Sequence, residues 1–440
     1  MKTAVFCLLV LSAVASGQWF EITVPADSVP FALCYNPQND YVYCANWGGG
    51  NVTVINGMTN EVATTVPVGV EPHAIIYSPL NNRVFCFNEG SQTFSVIDGA
   101  TNTVEATESL GTRPWDVVRC PVNDKLYVLG HYPDVLAVVD CGTYAVETPV
   151  TFDASPYGVC YDSADNRVYV ATRNDSSVRA IDCASNAVVA TIKVGPAPNK
   201  LCWNSRENKV YTATAEGLDS TVTVIDCATN QVVATLKPGK YPHRLSYEPT
   251  ESRVYVSNYS SRTVAVIDGA TNQVVATIPM SGSPEGSCAV PELGSVFAAT
   301  RSDTVFVINA ASCSVFARVG VGRNPMSLVY NSRDNRVYTN DYYGATVSIL
   351  RASGGIEETT NDERGTMNAG PTLVRRVLNL QSAIYNLQSE IVLSDITGRK
   401  VLALRPGANN VSGLAPGVYF VRAVSRELAT ASCHRVVLTR

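Results

Sequence analysis

An all-β chain built from eight similar units is what the sequence predicts, and three observations predict it. Prolines recur about every 42 residues, at Pro30, Pro72, Pro114, Pro156, Pro198, Pro242, Pro284 and Pro325. Ten to fourteen residues after each comes an aromatic, usually in a Val-Tyr pair: Tyr43, Phe85, Tyr127, Tyr169, Tyr211, Tyr255, Phe297 and Tyr338. Each unit also holds alternating runs of four to six residues, such as TVAVID (263–268) and VVATI (274–278), rich in Val, Ile, Thr and Tyr. Gly, Pro, Asn and Asp bound these runs, which therefore read as short β-strands joined by tight turns, four to a unit. Four antiparallel strands at this period form the blade of a β-propeller.

Composition agrees with a packed, exported protein and narrows its partners. Of 440 residues, 46% are hydrophobic and 16% charged, ample apolar material for a core and unlike a disordered chain. Lys and Arg number 33 against 38 Asp and Glu, a net charge of −5, so the basic surplus of a nucleic-acid binder is missing.

The first element is an export signal over residues 1–17. Lys2 precedes a twelve-residue apolar stretch, AVFCLLVLSAVA (4–15), and small residues follow for cleavage after Ala15 or Gly17. Twelve residues are too few to span a bilayer core of about 30 Å, and the mature chain has no apolar run of membrane length. Cys7 lies inside the stretch rather than at its end, which argues against a lipoprotein anchor. A secreted or cell-surface location is expected.

The propeller is expected over residues 18–351. Fourth-strand runs occur seven times between the prolines, and none follows Leu350. WFEITV (19–24) has strand character without a partner, so it is expected to supply the outer strand of the last of eight blades, covering an edge that would invite aggregation. A seven-bladed ring with one unit outside is the rival arrangement. The repeat text, especially DNRVYVAT (165–172) and TVTVIDCATNQVVATL (221–236), resembles the YVTN β-propeller repeat of bacterial and archaeal surface proteins. That resemblance implies the fold and is silent on function, because propellers host unrelated activities.

Residues 352–371, ASGGIEETTNDERGTMNAGP, are small and polar without periodicity and read as a linker. The tail, 372–440, carries nine Lys and Arg against three Asp and Glu, a net +6. The preceding residues therefore carry −11, since −5 − (+6) = −11. Strand runs IVLSDITGRKVLAL (391–404) and GLAPGVYFVRAV (413–424), separated by Gly and Pro turns, predict a small β-sandwich. With the closing HRVVLTR (434–440), they resemble the C-terminal sorting domain of the type IX secretion system. The matching signature residues are Asp395, Gly398 and Arg399, then Pro416, Gly417, Tyr419 and Arg422. The resemblance implies contact with that secretion machinery and passage through an outer membrane; an ordinary accessory β-domain is the alternative.

Twelve cysteines remain after the leader, in a compartment where disulfides persist. Cys34, Cys160, Cys202 and Cys288 share one repeat position, as do Cys44 and Cys86, and as do Cys141, Cys183 and Cys227. They replace small or apolar residues, which favours packed free thiols; inter-blade disulfides are the other option. No cysteine or histidine spacing suggests zinc.

Function is sought on one face. Loops joining strands one to two and three to four are repetitive (DSADN, NSREN, DGATN), whereas the two-to-three and four-to-one loops diverge. Divergence marks individual demands on a rigid scaffold. The divergent face carries Trp47, Glu89, His131, Tyr132, Arg173, Asp175, Glu216, Asp219, Tyr259, Arg301, Asp341, Tyr342 and Tyr343. Directly after the prolines, around the channel mouth, come Phe31, His73, Trp115, Tyr157, Asn199, His243, Glu285 and Met326. Aromatic and Arg side chains dominate recognition hot spots, and aromatics beside carboxylates and amides equally suit a glycan. His73 and His243 face each other from blades two and six, too far apart to converge to about 2.1 Å on one ion, so no metal and no cofactor is expected.

These features favour a non-catalytic binding or adhesion protein for an extracellular protein or polysaccharide. A propeller enzyme of lactonase or lyase type is the first alternative, although no G-x-S-x-G elbow is present and the chain has four Trp in all. A structural surface-layer or filament subunit is the second.

Overall fold

The computed structural model describes residues 19–214, 220–352 and 399–403, and the backbone of seven strands between 372 and 438. The expected leader, the linker over 353–371, and Glu216, Asp219, Asp395, Gly398 and Pro416 lie outside the described residues. One compact unit, Phe20–Ser353, contains eight four-stranded antiparallel sheets. Blade 1 runs from the innermost strand Pro30–Asn36 through Tyr41–Asn46 and Asn51–Asn56 to the outer strand Glu61–Pro67. Six more blades follow in the same order. Blade 8 takes Pro325–Asn331, Arg336–Asp341 and Thr346–Arg351 from its own unit and its outer strand, Phe20–Pro25, from the N-terminus. Thr23 pairs with Ser348 and Val24 with Val347, so the expected closure and the count of eight both hold. Each innermost strand packs on that of the next blade, and the last packs on the first. Glu21 fastens the closing strand, accepting hydrogen bonds from Arg336 Nε at 2.8 Å and Nη2 at 2.9 Å.

The recurring sequence text explains the turns. In DGATN, the Asp98 carboxylate accepts from the backbone N–H groups of Ala100 and Thr101, while Asn102 sits at φ 55°, a left-handed conformation that Asn tolerates. Asn60, Asn186, Asn230 and Asn272 repeat it.

That asparagine also joins the blades. The fully buried Tyr of each second strand donates its hydroxyl to the Asn side chain in the third-to-fourth turn of the next blade. The pairs are Tyr43–Asn102, Tyr127–Asn186, Tyr169–Asn230, Tyr211–Asn272 and, across the ring closure, Tyr338–Asn60, at 2.5 to 3.3 Å. The exceptions follow the partner. Where blade 3 has Tyr144 instead of Asn, blade 2 has Phe85, and the rings meet edge to face at 5.9 Å. Phe297 faces blade 8, whose outer strand arrives from the N-terminus and leaves no such turn. Tyr255 faces Cys313, and its buried hydroxyl has no hydrogen-bond partner.

Eleven cysteines among the described residues are free, eight of them buried. They fill inter-blade clusters, as Cys34 and Cys86 do beside Tyr43 and Val84. Burial pushes the Cys183, Cys202 and Cys227 thiols up to about 12, which leaves them protonated and unreactive.

The C-terminal unit, described by itself, holds a five-stranded sheet. Its order is Thr372–Val374, Cys433–Leu438, Gly417–Val424, Glu390–Ser394, Lys400–Leu404, parallel at the first pair and antiparallel thereafter. A separate ladder pairs Val377–Leu380 with Gly407–Asn410. Gly417, Tyr419 and Arg422 fall in one strand, and Arg399 is exposed just before another.

Removing a latched hydroxyl and an unlatched one should therefore differ. Tyr127→Phe is expected to cost about 1–2 kcal/mol in chemical denaturation, and Tyr255→Phe to leave stability within about 0.5 kcal/mol. Equal losses in both would contradict the latch.

Candidate functional site at the channel mouth

Backbone geometry builds the mouth before any side chain contributes. Val29, Glu71, Ala197, Tyr241 and Asn324, each directly before a repeat proline, take φ near 50–60°. Immediately after the proline, every innermost strand carries a bulge, between Pro30 and Ala32 in blade 1 and between Pro242 and Arg244 in blade 6, for example. A bulge sets two residues against one on the neighbouring strand. Both residues after the proline are thereby available to the channel, where a regular strand would turn the second away. The divergent two-to-three loops are tied to the same rim. The N–H groups of Trp47, Glu89, Arg173, Tyr259, Arg301 and Tyr342 each donate to the carbonyl of the residue before the proline in their own blade.

A cavity of about 280 Å³ opens among these residues. One wall is a continuous line of rings. Phe31 meets His73 at 4.3 Å, and outside the cavity lining the line continues from Phe31 to Tyr342 at 6.1 Å and from Tyr342 to Tyr343 at 4.8 Å. His73 then stacks on Trp115 at 4.6 Å, and Trp115 reaches Tyr157 at 5.3 Å. His131 packs edge-on against Trp115 and is held by Asp134 at 3.3 Å, while the Arg173 guanidinium caps Tyr157 at 5.0 Å. Such contacts fix the rings in place along the cavity lining.

The other wall is polar. Lys200 of blade 5 crosses blade 4 to pair with Asp116 of blade 3 at 2.7 Å. Gly158 makes room for the intervening backbone, because a Cβ there would lie 2.0 Å from the Asn199 carbonyl oxygen. His243 sits within 6.2 Å of both Tyr241 and Tyr259, and Arg301 covers Tyr259 at 5.0 Å. Glu285 is only 1% exposed; its Oε1 accepts from Arg301 Nε at 2.6 Å, whereas Oε2 lies 3.6 Å from His243 and 4.0 Å from Arg244. Burial, reinforced by the Lys200 charge, lowers the His73 pKa to about 4. Burial followed by Arg244, Lys200 and Arg301 lowers that of His243 to about 3. Both imidazoles are neutral at pH 7.

The mouth gathers Phe31, His73, Trp115, Tyr157, Arg173, Asn199 and His243 from the sequence-derived candidates. Other candidates lie elsewhere. Trp47 places Nε1 3.5 Å from Glu89 of blade 2, and Tyr132 and Tyr343 are 79% and 64% exposed on the face. Tyr259, Arg301 and Glu285 support the polar wall from behind it, and Met326 is absent from the lining. Asp175 is a turn residue: burial would raise its pKa, but Arg179 and the Thr172 and Ser177 hydroxyls hold it down to about 2. Sequence reasoning missed Asp116, Lys200, Arg244 and Tyr241. The first three share one repeat position, the second after the proline, so the repeat held the signal. Among the described residues, no group of three or more His, Cys, Asp or Glu could hold a metal ion.

Asp341 turns into blade 8, where its carboxylate accepts from Thr346 at 2.7 Å and Ser348 at 2.8 Å. Asn46 and Asn88 occupy the same position in blades 1 and 2 and bond to Thr53 and to Thr93 and Ser95. Burial pushes Asp341 up to about 6 from an ordinary 3.8. A raised pKa means that the folded state holds the extra proton, so the penalty is full above pH 6 and gone below about 4. Asp341→Asn should stabilise the fold by about 2 kcal/mol at pH 8, and the gain should vanish near pH 4 in denaturation measured at both pH values. A gain independent of pH would overturn this account.

Comparison with known proteins agrees with the fold. Residues 201–360 match the model of the YNCE-like beta-propeller family. No curated protein matches the chain. Among solved structures, Kuenenia stuttgartiensis hydrazine synthase is similar at TM-score 0.52 and 16% identity, over 75% of this chain and 97% of that one. The dihydro-heme d1 dehydrogenase NirN in complex with DHE is similar at TM-score 0.59 and 13% identity, over 67% of each chain. At such identities the likeness shows a shared fold alone.

Proposed function

We propose that the chain is an exported binding protein that takes a saccharide of an extracellular polysaccharide into the channel mouth of its propeller. The observation that carries this reading is the line of rings from Phe31 through His73 and Trp115 to Tyr157, sharing one small cavity with a set of polar side chains. A sugar ring offers an apolar face for stacking and hydroxyls for the polar wall. The concave, ring-sized opening favours it over the broad contact that a folded protein partner needs. The expected leader at 1–17 and the resemblance of the tail to a sorting domain support a location outside the cell, at the surface or in the medium, with the tail serving export rather than binding. Both structural neighbours are named as enzymes, so turnover of any bound ligand is to be assayed alongside binding.

The test is binding of the full chain to glycan and cell-surface-protein arrays. Saturable glycan binding is expected, weakened at least tenfold by Trp115→Ala and Tyr157→Ala and unchanged by Trp47→Ala, whose indole lies outside the cavity. Binding to proteins alone, or loss in Trp47→Ala with Trp115→Ala unaffected, would overturn the assignment.

A further inference from the structure

Resting on that reading of the mouth, the side chains lining it narrow the class of saccharide. Among the described residues three cations, Arg173, Lys200 and Arg244, line the cavity with one carboxylate, Asp116, although residues 1–371 carry a net −11. Asp116 is paired with Lys200, and Glu285, the acid nearest Arg244, gives Oε1 to Arg301 while its Oε2 stands 4.0 Å from Arg244 Nε, beyond hydrogen-bond reach. Arg244 Nε is buried without a hydrogen-bond partner, and so are His73 Nδ1, Trp115 Nε1, Asn199 Oδ1 and His243 Nδ1 on the same lining. Buried polar atoms left unpaired are costly, and five of them on one cavity lining mark places that a ligand fills. Four are ring or guanidinium nitrogens and one is an amide oxygen, so a ligand there needs acceptors, a hydroxyl donor and one anionic group. Arginine is the side chain best shaped to receive a carboxylate through two parallel N–H bonds.

We propose that the mouth selects an acidic sugar, a hexuronic acid unit of a polyuronate. Its ring stacks on Trp115 and Tyr157, its hydroxyls meet Trp115 Nε1 and Asn199 Oδ1, and its carboxylate is held by Arg244 with Lys200 beside it. The hydrogen bonds use atoms that the fold leaves open, and Lys200 adds its charge while keeping its pair with Asp116. The Lys200–Asp116 pair sets the lysine in place, and neutral His243 lines the same wall without adding a charge. A neutral sugar would stack equally well and leave Arg244 Nε without a hydrogen bond, which is the source of the selectivity.

The full chain is titrated by calorimetry at pH 7 with polygalacturonate, the same polymer after carboxyl reduction, dextran and dextran sulfate. Polygalacturonate is expected to bind at least tenfold more tightly than its reduced form. Arg244→Gln should remove that difference, while Trp115→Ala weakens both polymers. Lys200→Gln, which leaves the arginine in place, should weaken polygalacturonate alone, guarding against misfolding of the first variant. Equal, Trp115-dependent binding of the acidic and reduced polymers would overturn the acidic-sugar assignment and leave the saccharide reading standing. Tight binding of dextran sulfate that ignores Trp115→Ala would mean general attraction to polyanions and overturn it as well. No binding of any of the polymers, together with a silent glycan array, would remove the saccharide reading itself.

Discussion

A tyrosine hydroxyl donated from one blade to an asparagine in the next is the interaction on which the ring depends. Five of the eight interfaces use it, including the one that closes blade 8 on blade 1 through Tyr338 and Asn60. The phenol is buried, so its hydroxyl must find a partner or cost stability. The asparagine is held at positive φ by its turn, so its side chain is already aimed. Neither residue can move without losing the other, and each interface therefore has one register. The substitutions at Phe85 and Phe297 keep to the same rule, removing the hydroxyl where no asparagine awaits it.

A rigid ring gives the mouth its geometry. Each proline opens an innermost strand, and the bulge that follows brings two consecutive side chains to the channel instead of one. The first of the two supplies the aromatic wall and the second the charges. Because both come from the same eight strands, the spacing between ring and cation is set by backbone shared with the core. Loops contribute only covering residues such as Arg173 and Tyr342. The cavity thus stands preorganised, and a ligand need not order it on arrival.

Much of this was legible in the sequence. The proline period, the Val-Tyr pairs and the orphan WFEITV run led to eight blades and to the closing strand, because strands, turns and their period are local properties. The residues directly after the prolines were also legible as mouth residues, and six of those eight line the cavity. Lys200, Arg244 and Asp116 were not, because plain strand alternation sends every second side chain away from the channel and nothing in the residues announces the bulge. Glu285 and Asp341 misled for a different reason. An acid directly after a repeat proline or on a divergent loop reads as site chemistry, yet Glu285 is bonded to Arg301 behind the wall and Asp341 replaces a structural asparagine inside a blade.

The most direct test of the account is a crystal structure of the full chain with a galacturonate trisaccharide. The account expects one sugar ring seated against Trp115 with its carboxylate on Arg244. A saccharide bound instead along the outer strands, or on the face formed by the repetitive turns, would contradict it.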